Sequence, residues 1–160
     1  MNSATTGFAH PEFLIETEEL ASRLGDPNLV VLDSTTHLIP DPKITYTVKS
    51  GREDFEKGHI PGAQFVDLQA DLSAPHPKLR FMLPGAEEFA AAMGRFGVGE
   101  RSRVILYSTT TPQWATRIWW MLRNDEFGIT HTPIHIAPAG IADSGCPVQQ
   151  EKVCGTQVRC

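Results

Sequence analysis

Arg103-Val104-Ile105-Leu106-Tyr107 runs into Ser108-Thr109-Thr110-Thr111, then Pro112, then Gln113-Trp114-Ala115-Thr116-Arg117-Ile118-Trp119-Trp120-Met121-Leu122-Arg123. After Arg103, Val104 to Tyr107 form an apolar run with two β-branched side chains, and the segment has strand length, which predicts a buried strand. The Ser/Thr run is too polar and too short for either element, so it is a loop. Pro112 suits the first turn of a helix, because its missing N–H has no partner to lose there. Ala115, Ile118, Trp119 and Leu122 then recur on one helical face up to about Arg123. A strand, a tight polar loop and a helix in succession are the building unit of an α/β sheet.

The same alternation appears outward from this stretch. Leu29-Val30-Val31-Leu32 is a second continuous apolar run, ending at Asp33. Gly85 to Phe96 is predicted as a helix, with Phe89, Ala92, Met93 and Phe96 at helical spacing and Gly97 as its stop. Thr17 to Leu24 is a short amphipathic helix, and Ala63 to Leu68 is a further strand candidate. Ser34 to Ser50, with Pro40 and Pro42, is read as a long loop, and Ser73 to Pro84 as another. The expected fold is α/β, a central, mostly parallel sheet flanked by helices. Ligands in such sheets bind beyond the carboxyl ends of strands. That singles out the loop after Asp33 and the loop Ser108 to Thr111.

The chain has 160 residues, 41% of them hydrophobic and 21% charged, with a net charge of −5. This composition suits one folded domain and excludes a chain disordered throughout. The acidic balance argues against a general nucleic-acid binder, which relies on neutralising phosphates. No apolar run approaches the roughly 18 residues of a membrane span. The amino terminus lacks a basic segment followed by an apolar run, so no secretory signal is read and a cytoplasmic location is expected. The three cysteines, Cys146, Cys154 and Cys160, sit in the last 15 residues. An odd number confined to a tail is not a disulfide framework.

The loop after Tyr107 has a chemistry of its own. Amides at the start of a helix point outward and favour an anion, helped by the helix dipole. A cysteine at the first loop position would have its thiol acidified there. This chain has Ser108, whose hydroxyl needs an adjacent base, and no His, Asp or Glu lies between Tyr107 and Arg123. Two readings stay open. The loop is an ordinary turn whose threonines cap the helix, or it binds an anion through Ser108, Thr109, Thr110, Thr111 and Arg117. Asp33, Arg52 and Asp67 are read as salt-bridge or turn residues.

Phe55-Glu56-Lys57-Gly58-His59-Ile60-Pro61-Gly62-Ala63-Gln64-Phe65-Val66 resembles the signature of the rhodanese (thiosulfate sulfurtransferase) family. Met82-Leu83-Pro84 before the Gly85 helix, the strand Leu29 to Asp33, and Ala115 to Arg123 are similar to further segments of it. The last is similar to the amino-terminal domain of two-domain sulfurtransferases. The likeness covers roughly residues 13–128, after a lead-in of residues 1–12. Within the motif, Pro61 and Gly62 suit a stiff turn with special backbone angles. Phe55, His59, Pro61, Gly62 and Ala63 are read as structural, with His59 a hydrogen-bonding lock rather than a general base.

The resemblance implies sulfur transfer from thiosulfate or 3-mercaptopyruvate through a cysteine persulfide. It implies that the cysteine belongs where this chain has Ser108. Two-domain members carry that cysteine in their carboxy-terminal domain. The chain therefore resembles the non-catalytic amino-terminal half. A second rhodanese domain and a small sulfur-containing anion are its expected partners, with no cofactor. A stand-alone module binding an anion or a protein is the alternative. A phosphatase of the related cysteine-loop kind is disfavoured by Ser108, and by Gln113 where such loops place an arginine.

Residues 129–160 depart from the family pattern. Ile134 and Ile136 could keep its next strand, but the Gly-Gly turn and the tryptophan are absent. The segment is read as a divergent tail, the product of truncation or a shifted frame. His131, His135 and the three cysteines lack the close Cys pair of a zinc site, so no metal is expected.

Overall fold

The computed structural model describes residues 9–124 and 133–137. Its central sheet has the order β4-β1-β5-β6, from Gln64–Phe65 (β4), Leu29–Asp33 (β1), Arg103–Tyr107 (β5) and Ile134–Ile136 (β6). All pairings are parallel, with Leu29 opposite Arg103 and Asp33 opposite Tyr107. The sheet is the one that the alternating elements predict.

Period-two alternation divides the core. Val30, Leu32, Val104, Leu106, Ile134 and Ile136 point to one face. They meet Phe89, Ala92 and Met93 of α3 (Ala86–Arg95), and Ala115, Ile118 and Leu122 of α4 (Gln113–Arg123). Val31, Ile105 and Tyr107 point the other way, onto Leu20 of α1 (Thr17–Arg23) and onto Ile60 and Ala63. Both sides are covered, which is why these strands read as unbroken apolar runs rather than alternating ones. Each such side chain contributes about 1.5–3 kcal/mol by leaving water.

Ile134 and Ile136 keep their strand. Both are buried, and the edge beyond β6 is covered by the chain at Leu14 and Ile15, whose amide donates to the Ile136 carbonyl at 3.2 Å. The rest of the stretch after Arg123, including His131 and all three cysteines, lies outside the described residues, apart from Asn124, Pro133 and Ala137.

The stretch Ser34 to Ser50 is not a loop. Thr36–Asp41 (β2) and Thr45–Ser50 (β3) form an antiparallel hairpin, a two-stranded sheet separate from the main one. Its turn is held by Asp41, whose Oδ1 accepts the amides of Lys43 and Ile44. Pro40 sits in β2 opposite Tyr46, a position open to it because this small sheet is all edge. Thr45-Tyr46-Thr47-Val48 carried the strand signal. The expected strand from Ala63 to Leu68 shrinks to Gln64–Phe65, because Asp67 folds the chain into a turn by accepting the amides of Gln69 and Ala70, both at 3.0 Å. Asp67 is therefore a turn residue, as expected.

Candidate functional site at the carboxyl ends of the strands

The family-like motif folds into a short helix and a turn, α2 (Arg52–Lys57) followed by Gly58 to Ala63. His59 is buried, and its Nδ1–H donates to the Phe55 carbonyl at 2.8 Å. Its ring lies 3.9 Å from that of Phe55 and nearly parallel to it. Gly62 adopts φ +79, a region that disfavours side chains. Ala63 closes the turn by donating its amide to the Ile60 carbonyl. Arg52 forms no ion pair among the described residues. Its guanidinium lies over the Phe65 ring, 4.8 Å from the centroid, so the salt-bridge expectation for it gives way to a cation–π contact.

This turn sits beside the end of β1. Asp33 faces Tyr107 on the adjacent strand and is 1% exposed. It too is without an ion pair among the described residues. Its Oδ1 accepts the Thr35 amide at 2.8 Å and the Thr35 hydroxyl. Burial pushes the Asp33 carboxyl above its ordinary pKa. The hydrogen bonds from Thr35 and Tyr107 and the nearby His59 pull the other way without cancelling it.

The proton inventory of the Ser108 loop can be assigned from its partners. The Thr35 hydroxyl gives its one proton to Asp33, so its oxygen accepts from the Thr109 amide at 2.9 Å and from the Thr109 hydroxyl at 3.2 Å. The Thr110 hydroxyl gives its proton to the Thr36 carbonyl at 3.1 Å, so Ser108 is the donor across the 3.2 Å between Ser108 and Thr110. Ser108 is 1% exposed. Its hydroxyl is a buried donor, and no His, Asp or Glu among the described residues hydrogen-bonds it.

The structure thus brings Ser108, Thr109 and Thr110 together with Asp33, Thr35 and Thr36. The threonines do not cap α4, whose N-cap is Pro112 with no side-chain cap; they stitch the loop to the chain after β1. Thr111 is exposed and lines an open groove of about 360 Å³ with Thr110, Gln113, Trp114 and residues Thr36 to Pro40. Arg117 turns to another place. It donates through Nη2 to the Phe81 carbonyl, its Nε is buried without a partner, and desolvation lowers its pKa from the ordinary value. Thr35 and Tyr107 escaped the sequence reading. Thr35 reaches Asp33 through a local turn two residues on, whereas only the register of β1 against β5 brings Tyr107 beside it.

The chain matches the family model of the rhodanese-like domain over residues 16–143. It is 40% identical over 125 residues to the human 3-mercaptopyruvate sulfurtransferase, covering 76% of this chain and 37% of that protein. It is 33% identical over 128 residues to the 3-mercaptopyruvate sulfurtransferase of Escherichia coli strain K12, covering 76% of this chain and 41% of that one. The crystal structure of SseA from Escherichia coli, a 3-mercaptopyruvate sulfurtransferase, superposes with a TM-score of 0.69 at 27% identity, over 88% of this chain and 51% of that one. The chain spans about two fifths of the length of the curated relatives it matches. A parallel sheet of this order, the stacked Phe55–His59 turn and these likenesses agree: the chain belongs to the family of rhodanese-like domains, close to the 3-mercaptopyruvate sulfurtransferases.

Proposed function

We propose that this chain is the amino-terminal, non-catalytic half of a thiosulfate or 3-mercaptopyruvate sulfurtransferase, and that it transfers no sulfur by itself. The observation that carries this reading is Ser108. It stands at the loop position where the family resemblance puts the persulfide cysteine, and it is a buried hydrogen-bond donor. A serine cannot hold a persulfide. Its partner is then a second rhodanese domain carrying that cysteine. The share of the relatives left unmatched, 63% of the human protein by subtraction of the covered 37% from the whole, leaves room for one. Any contact with the sulfur-containing anion falls to the exposed residues of the loop, Thr109 to Thr111, and not to Ser108.

The test is sulfur transfer from thiosulfate to cyanide and from 3-mercaptopyruvate to a thiol by the purified chain. Intact mass is read after exposure to each donor. The expected result is no turnover and no added sulfur atom. Turnover that disappears on Cys→Ser substitution at position 146, 154 or 160 would overturn the reading. The gene downstream of the codon for Arg123 is expected to encode a second rhodanese half in some frame; its absence there would favour a stand-alone module.

A further inference from the structure

We propose that Asp33 is a proton-sensitive latch, closed when its carboxyl is protonated and loosened when it ionises, which sets how firmly the Ser108–Thr111 loop and the base of the β2–β3 hairpin are held to the sheet. The proposal rests on a convergence of bonds. Both the amide and the hydroxyl of Thr109 end on the Thr35 hydroxyl, whose proton ends on Asp33. The Thr35 amide also ends on Asp33. The Thr35 carbonyl accepts the Gly51 amide at 2.9 Å, which closes the hairpin at its root. One carboxyl therefore orders Thr35, and Thr35 orders both segments.

The direction follows from linkage. In the closed arrangement Asp33 is 1% exposed. Opening the Thr35 junction returns it to water, and the hydration that the ionised form regains outweighs the Thr35 and Tyr107 hydrogen bonds it gives up, because burial is the largest influence on this carboxyl. Ionisation therefore favours opening, and protonation favours closure. Among the described residues, the titratable groups acting on Asp33 are Tyr107 of β5, through a hydrogen bond, and His59 of the signature turn. From the hairpin side it meets the hydroxyl and amide of Thr35. From the β4 side the Val66 amide donates to its backbone carbonyl at 2.8 Å. Protonated Asp33 keeps Oδ1 as an acceptor for the amide and hydroxyl of Thr35, so the bonds that hold the junction survive protonation. The latch is independent of sulfur chemistry and of the proposed function.

The experiment is amide hydrogen exchange by NMR on the full 160-residue chain between about pH 4 and pH 8. The Asp33 carboxyl carbon is titrated in the same samples. After correction for intrinsic exchange, the opening constants of Thr109 and Gly51 are expected to rise with pH, by up to about tenfold per unit. Their midpoint should be that of Asp33. Asp33→Asn, a fixed mimic of the neutral acid, should hold both amides closed and flat across the range. Thr35→Val removes one donor to the carboxylate. It should move the Asp33 midpoint and the Gly51 opening curve upward together. Opening constants that do not track Asp33, or the same pH dependence in Asp33→Asn, would overturn the latch. If Asp33→Asn does not fold, the joint shift in Thr35→Val decides: a Gly51 curve that stays put while Asp33 moves rejects it.

Discussion

Gly51 donates its amide to the Thr35 carbonyl at 2.9 Å, and a β-carbon on Gly51 would stand 2.4 Å from that same oxygen. Two backbones touch here because one residue has no side chain. The obstacle is backbone, so no rotamer change relieves it. Gly51→Ala must push the hairpin root away from the chain after β1, with an expected loss of about 1–3 kcal/mol. Gly94 is the control. It lies within α3, a β-carbon there meets nothing within 4 Å, and Gly94→Ala should stabilise by about 0.5–1 kcal/mol. Urea midpoints at constant slope measure both. Equal effects of the two substitutions would contradict the close approach.

The signature turn makes a different demand. His59 combines a bond from Nδ1–H to the Phe55 carbonyl with a ring stack on Phe55. His59→Phe keeps an aromatic partner and loses the bond; His59→Ala loses both. The expected order of stability is wild type, then Phe, then Ala, with about 1 kcal/mol for the bond and a further 0.5–1.5 kcal/mol for the stack. Thermal unfolding of the three proteins reads the order directly. A His59→Ala protein as stable as wild type would remove the structural role assigned to this residue.

The central sheet was legible because its physics is local. A parallel strand buried on both faces is a run of apolar residues, and each helix shows its buried stripe at a period of 3.6. The hairpin was hidden because Pro40 and Pro42 outweighed the β-branched and aromatic run of Thr45 to Val48, and nothing in a single strand reveals its partner. The junction was hidden for a stronger reason. Asp33, Thr35 and Thr109 are joined by bonds across 74 residues of chain, and Tyr107 reaches Asp33 only through strand register. Sequence reading found Ser108 by its place after the strand. It could not show that the serine faces inward.

Asp33 also predicts how global stability varies with pH. Its native pKa lies above the ordinary 3.8, so the native state holds this proton more tightly than the unfolded chain does. Below 3.8 both states are protonated and the shift contributes nothing. As pH rises from there through the native value, Asp33 lowers stability, and above it the loss is constant. Asp54 has the opposite sign: a bond from Lys57 lowers its pKa, which favours the native state as pH rises. Comparing wild type with Asp33→Asn cancels that background. The stability of wild type relative to the variant should fall with pH across the Asp33 window and then level. A difference that grows in favour of wild type would show that hydrogen bonds, not burial, dominate the site.

Ser108, which carries the proposed reading of function, lends itself to a direct chemical test. Placing a cysteine at position 108 is not expected to give a usable thiol. The Ser108 side chain is 1% exposed and its hydroxyl is aimed at Thr110, whose own proton is committed to Thr36. A thiol there would sit under the loop instead of on its outer surface. The helix start would favour the thiolate, but burial opposes it. With Cys146, Cys154 and Cys160 replaced by serine, Ser108→Cys should react with an aromatic disulfide at least about a hundredfold more slowly in the folded chain than in denaturant, because reaction must wait for local opening. It should gain no sulfur atom from thiosulfate. Fast modification in the folded state, with a persulfide seen by mass, would place residue 108 at an accessible surface and contradict its buried geometry.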